Sequence, residues 1–194
     1  MTQLTLGHRQ RPSHRAVGAF PPWRARSGAG YGERVEHASL LLVDAASGTA
    51  RWAMEQYFTE LAGRFPGGFE PGDALSDAAA AFNPPSGVFV IAIVQGEPAG
   101  CGGAQFLDKM TAEIKRMWVS PHSRGLGLGR RLLARLEEEA RLAGRRRVVL
   151  DTNGTLTEAI SLYRSQGYVP IGRYNDNPYA DRWFAKDIPD DDRP

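Results

Sequence analysis

The chain has 194 residues, of which 42% are hydrophobic and 24% charged, and a formal net charge of +2, the composition of a single globular domain able to bury a core. No apolar run nears the roughly 20 residues that span a bilayer, and no apolar stretch near the N-terminus suggests a secretory signal. Cys101 is the sole cysteine, which excludes an intrachain disulfide and suits the cytoplasm, and the four histidines show no metal-ligand spacing, so no metal site is expected.

The charge is unevenly spread. Residues 1–35 hold six arginines against one acid, Glu33, leaving 18 basic and 21 acidic residues for the remainder. Rich in Pro, Gly and Ser and without periodicity, 1–35 reads as a flexible, Arg-rich extension, and 36–194 as the folded domain. Nothing else in the chain supports a nucleic-acid or membrane partner.

The apolar run at 39–45 predicts a first strand. Trp52, Met54, Tyr57, Phe58 and Leu61 recur at helical spacing and predict an amphipathic helix over 48–62. A short alanine-rich helix is expected near 73–82. The runs 88–94 and 101–107, joined by Gln-Gly-Glu-Pro-Ala-Gly, read as a hairpin. The next strand, 110–120, breaks alternation: Lys115 and Arg116 are followed by Met117, Trp118 and Val119, which predicts a bulge near 115–117.

Leu132, Leu133, Leu136, Ala140 and Ala143 form the apolar stripe of a further helix, with Glu137 and Arg141 as an i,i+4 pair, ended by Gly144. A strand at 147–152 follows. Thr155 and Glu158 predict a capping box for a helix ended by Gly167, and strands at 168–172 and 182–188 complete the chain. This order implies an α/β fold: a mixed, mostly antiparallel central sheet with helices on both faces.

The stretch Ser120–Leu136 carries three glycines at alternate positions and no Ser, Thr, Asp or Asn where the helix begins. Such a helix start leaves its backbone N–H groups free for an anion, and Arg124, Arg130 and Arg131 add attraction. A Walker A loop would need Gly-Lys-Ser/Thr where Gly129-Arg130-Arg131 stands. In a dinucleotide fingerprint the third glycine comes one place early, and the preceding strand should be almost continuously apolar.

The hexapeptide Arg124-Gly125-Leu126-Gly127-Leu128-Gly129 matches Arg/Gln-x-x-Gly-x-Gly/Ala, the pyrophosphate motif of the GNAT superfamily of N-acetyltransferases. Residues 112–133 resemble that family's fourth strand and third helix. Residues 150–168 resemble its fifth strand and fourth helix, with Ala159, Leu162, Tyr163, Gly167 and Tyr168 in the matching pattern. The resemblance covers about 39–188 and implies a fold whose fourth and fifth strands splay apart.

It also implies a chemistry. Arg124 to Arg130, that is Arg124, Gly125, Leu126, Gly127, Leu128, Gly129 and Arg130, would wrap the pyrophosphate of acetyl-CoA, the cosubstrate. The backbone of Met117, Trp118 and Val119 would pair with the pantetheine arm and supply an oxyanion donor, and Asn153 would hydrogen-bond that arm. Tyr163 would protonate the departing thiolate. Glu113 is the expected general base, with Asp151 in reserve, for direct attack of a primary amine in a ternary complex.

The expected activity is therefore N-acetyl transfer to a small-molecule or peptide amine, and family resemblance extends to a homodimer. The alternative is a module of the same fold that binds acyl-CoA without turnover. Cys101 reads as a buried small side chain, and Tyr174, Asp176 and Asp181 lie in a loop placed to cover the acceptor.

Overall fold

The computed structural model describes residues 38–65 and 67–189. The expected N-terminal extension lies outside them. Strand β1 (Ser39–Val43) leads to α1 (Gly48–Arg64), a 3-10 turn (Gly72–Ala74), α2 (Ala78–Phe82), and strands β2 (Gly87–Val94), β3 (Glu97–Phe106) and β4 (Thr111–Val119). A second 3-10 turn (Pro121–Ser123) precedes α3 (Leu128–Leu142), β5 (Arg147–Thr152), α4 (Thr157–Ser165), β6 (Val169–Pro170) and β7 (Arg182–Asp187). One seven-stranded sheet is ordered β1-β2-β3-β4-β5-β7-β6, and β4–β5 is its parallel pair.

Strand alternation divides the core in two. On β2, Val90 and Ala92 face α3 together with Leu132, Leu133, Leu136, Leu150 and Phe184, while Phe89 and Ile91 face α1 and α2 with Met54, Phe58, Phe82, Cys101 and Trp118. A strand covered on both faces reads as the continuous apolar run 88–94. Each fully buried Leu of α3 contributes roughly 1.5–3 kcal/mol. Gly103 on β3 admits α2 closely, since a Cβ there would lie 2.5 Å from the Phe82 ring.

The bulge falls where alternation fails. Cys101 pairs with Trp118 and Gly103 with Lys115, so Arg116 and Met117 together stand opposite Gly102. Arg116 adopts φ +57°, a left-handed conformation costly for a side chain. The β4–β5 pairing is limited to Thr111–Arg147, Ala112–Val148 and Glu113–Val149. Beyond Glu113 the two strands part, as the resemblance implies.

Several local expectations are corrected. The hairpin turn is only Gln95-Gly96, both at positive φ, the two-residue geometry that matches strand twist, so β3 begins at Glu97 rather than 101. Helix 73–82 is broken into a 3-10 turn and the shorter α2. No side chain caps α4 at Leu156, because Asn153 Oδ1 takes the Thr155 N–H at 3.0 Å and hydroxyl at 2.8 Å, leaving no capping box. Arg141 pairs with Glu138 at 2.7 Å, while Glu137 reaches Lys186 on β7 at 2.7 Å.

Candidate functional site

The fork between β4 and β5 opens two adjoining cavities. The first, of about 300 Å³, is lined by Met117, Trp118 and Val119 of β4, the glycine loop, α1 and α4. Helix α3 begins at its rim on Gly127 (φ 79°, ψ 0°) with no side-chain cap. Gly125 is also at positive φ, +73°. The two glycines allow a turn that a Cβ would strain, and they leave the helix's first N–H groups to an external acceptor.

Ion pairs line this rim. Arg124 Nε donates to the Val119 carbonyl at 2.9 Å, and its guanidinium pairs with Glu60 of α1. Glu60 also accepts from the Trp118 indole N–H at 3.0 Å. Arg64 joins Glu60 at 3.3 Å and Glu158 of α4, with its Nη2–Oε2 contact at 3.0 Å. The Arg64 hydrogen bond holds the Glu158 carboxyl down at about 2.

The second cavity, of about 460 Å³, is lined by both strands of the fork, Ile114 to Met117 of β4 and Asp151 and Thr152 of β5. One wall is aromatic: Phe58 stacks on Phe69 at 5.6 Å between ring centroids, and Tyr179 lies 4.6 Å from Phe69 and 6.0 Å from Phe65. The Tyr179 hydroxyl accepts the Glu70 N–H at 3.0 Å. Lys115, Arg116, Asp151, Asn153 and Asn177 line the polar side.

Tyr57, Leu61, Met117, Leu156, Ala159 and Tyr163 line both cavities, so these six residues form the passage between them. Neither tyrosine hydroxyl has a hydrogen-bond partner among the described residues. Burial first, then the Asp151 charge, raises the Tyr163 hydroxyl well above its ordinary value. Burial, Tyr163 and Asp151 do the same to Tyr57. Both hydroxyls therefore keep their protons at neutral pH and have donors to offer.

Two carboxylates stand at the fork in different settings. Glu113 is 4% exposed and accepts from Lys115 at 2.9 Å, the Tyr174 hydroxyl at 2.9 Å and Asn175 at 3.1 Å. It lines neither cavity. Asp151 lines the second, accepting from Asn175 at 2.5 Å and Asn177 at 3.1 Å. The Asn175 amide thus joins the two carboxylates, held in turn by the Trp183 indole N–H at 3.0 Å.

The fold assembles Met117, Trp118, Val119, Arg124, Gly125, Gly127, Leu128, Gly129, Arg130 and Tyr163 around the first cavity. Leu126 is 39% exposed and lies off its lining, and Asn153 lies on the second cavity instead. The Asn153 side chain is engaged locally, its amide on the Tyr179 carbonyl at 2.7 Å. Between β6 and β7, Asn177 to Ala180 reach the second cavity, rather than Tyr174, Asp176 or Asp181.

Tyr57, Glu60 and Arg116 complete the site and carry no motif. Tyr57 and Glu60 hide in the periodic pattern of α1, and the only signal for Arg116 is a charge inside a bulged, otherwise apolar run. Among the described residues no group of three or more His, Cys, Asp or Glu could hold a metal ion, and no helix is long and apolar enough to cross a membrane.

Comparison with known proteins places the chain in a family. The chain is 40% identical over 96 residues to the IAA acetyltransferase of Azospirillum brasilense, a match covering 47% of this chain and 63% of that one. Its fold is similar to that of a GNAT-family acetyltransferase from Staphylococcus aureus (TM-score 0.68, 16% identity, covering 77% of this chain and 98% of that chain). It is also similar to a GNAT-family acetyltransferase from Elizabethkingia anophelis with acetyl-CoA bound (TM-score 0.56, 18% identity, covering 78% and 98%). The sequence profile described as Acetyltransferase (GNAT) family matches residues 50–168, and the chain therefore belongs to the GNAT acetyltransferase family.

Proposed function

We infer that the protein is a cytoplasmic N-acetyltransferase that moves the acetyl group of acetyl-CoA directly to a primary amine. The observation carrying this reading is the passage at Tyr57 and Tyr163, where an anion-ready cavity on the glycine-loop side meets a second cavity suited to an acceptor. Acetyl-CoA would supply the acyl group as a thioester, its pyrophosphate at the uncapped start of α3.

The remaining steps are assigned to residues of this chain. The open edge of β4 beyond Glu113 offers backbone groups of Met117, Trp118 and Val119 to the pantetheine arm and, at the carbonyl, to the oxyanion. Asp151 faces the acceptor cavity and receives the ammonium proton, which frees the nitrogen lone pair. Glu113, the base expected from sequence, stands behind it and acts through Asn175 to orient it. The amine nitrogen bonds to the carbonyl carbon, the C–S bond breaks as the Tyr163 hydroxyl gives its proton to the sulfur, and the second proton of the adduct nitrogen passes through solvent to the Tyr163 phenolate, restoring the hydroxyl.

Steady-state release of CoA thiol against a panel of amines tests this reading. Turnover that falls at least tenfold in Asp151→Asn and in Tyr163→Phe supports it. Binding of acetyl-CoA with no CoA release for any amine would favour the non-catalytic acyl-CoA module.

A further inference from the structure

Arg116 is the feature of the acceptor cavity that the acetyl-transfer chemistry leaves unused. It sits on the β4 bulge in a left-handed conformation, φ +57°, so the chain accepts backbone strain to aim this side chain away from the alternating pattern. Its guanidinium lies 4.7 Å from the Phe82 ring centroid and 5.6 Å from that of Phe58, and Nη1 donates to the Met54 sulfur at 2.9 Å. It pairs with no carboxylate among the described residues. Nε and Nη2 donate to no partner among the described residues, and Arg116 is a lining residue of the second cavity.

A partly buried guanidinium keeps its charge, and desolvation without a counter-ion is costly. The neighbouring cation, Lys115, has its anion already in Glu113. Arg116 has no carboxylate within ion-pair distance among the described residues, Asp77 acting on it only by longer-range attraction, and cation–π contacts hold its plane in place. A planar fork with two open N–H groups suits a carboxylate, which it can grip bidentately. The same cavity carries the Phe65, Phe69 and Tyr179 wall for an apolar body, and Asp151 for an ammonium.

We propose that Arg116 is a specificity determinant that binds a carboxylate on the acceptor, so that the preferred substrate is an amine bearing both a carboxylate and an apolar or aromatic side chain, as in an aromatic α-amino acid. This rests on the acetyltransferase reading above and narrows its acceptor. Arg116 takes no part in proton transfer.

The test reads the carboxylate without needing turnover. The full chain, loaded with CoA, is titrated calorimetrically with N-acetylphenylalanine and with N-acetylphenylalaninamide, which differ only in that charge. The native protein is expected to bind the carboxylate about tenfold or more tighter than the amide. Arg116→Met should erase that preference while leaving affinity for the amide unchanged, and Arg116→Lys should keep part of it. A purely structural arginine would instead weaken both ligands alike.

Equal affinity of the native protein for the two probes, binding of neither, or a preference that survives Arg116→Met overturns the proposal. CoA binding, measured first in the same cell, separates the two claims. A native protein that ignores CoA overturns both, whereas one that binds CoA and shows no carboxylate preference overturns only this one.

Discussion

Arg64 on α1 and Glu158 on α4 are 94 residues apart and form a two-point ion pair at the edge of the first cavity, with Nη2–Oε2 at 3.0 Å. The pair ties together two helices that the sheet alone does not hold to each other. Glu158 is held at about 2, chiefly by the Arg64 hydrogen bond, against about 4.3 for a free glutamate. A depressed carboxyl contributes stability above pH about 4.3 and loses it as pH falls towards about 2. Because the Glu158 side chain is 52% exposed, solvent screening limits the contribution to about 0.5 kcal/mol. Thermal melts of Glu158→Gln should run about 1–3 °C below native at pH 7 and coincide with native near pH 2. A gap that persists at pH 2 would contradict the pairing.

Glu60 of α1 occupies the guanidinium of Arg124, the first residue of the glycine-loop motif. A pyrophosphate bound there as proposed would have to compete with that carboxylate. Glu60→Gln keeps an acceptor for the Trp118 indole and removes the negative charge, so acetyl-CoA should bind about 3–10-fold tighter at low salt, with the gain shrinking as salt screens it. Titrations at two ionic strengths check this. Unchanged or weaker binding would mean that Arg124 plays no part in holding the anion.

Tyr163 and Tyr57 both present protonated hydroxyls to the passage between the cavities. With Tyr163 proposed as the acid that protonates the thiolate, Tyr163→Phe should lower kcat about 100-fold, with the KM for acetyl-CoA little changed. Tyr57→Phe measures whether the second hydroxyl shares the task, and there a fall of at most threefold is expected. Because burial raises both groups, the native rate should show no loss from tyrosine ionisation below pH 10. A Tyr57 effect larger than that of Tyr163 would reverse the assignment.

Cys101 is fully buried, its thiol pushed up to about 12 by desolvation, and it donates to the Arg116 carbonyl at 3.5 Å. A thiol in that state is a poor nucleophile, in keeping with direct transfer. Iodoacetamide should label the native protein far more slowly than the denatured chain, and Cys101→Ala should retain at least half of native kcat at a stability cost of about 1 kcal/mol. An isolable acetyl-thioester at Cys101 would contradict direct attack.

Much of this architecture was legible in the residues because local signals and burial coincide. The unbroken run at 88–94 marks a strand covered on both faces, the 3.6-residue stripe at Leu132, Leu133 and Leu136 marks α3, and the broken alternation at 115–117 marks the bulge. The glycine loop was legible for a different reason: an uncapped helix start is unusual enough to ask for a ligand. The acceptor side was not. Asp151, Asn175 and Asn177 meet only through the long return from β6 to β7, and Tyr57 reaches the passage only because α1 lies across the fork. Thr155 and Glu158 had the spacing of a capping box but found better partners in Asn153 and Arg64, as competing side chains often do at exposed helix ends.

The loop at Arg124–Arg130 and the start of α3 are proposed to hold the phosphates of acetyl-CoA, and every other assignment depends on that. The most direct measurement is calorimetric titration of acetyl-CoA into the native protein beside Gly127→Asp, with the melting temperature of each recorded. One site per chain is expected in the native protein and none detectable in a variant that still melts cooperatively, since the new carboxylate would stand where the anion is proposed to bind. Full affinity in folded Gly127→Asp, or no binding by the native protein, would contradict it.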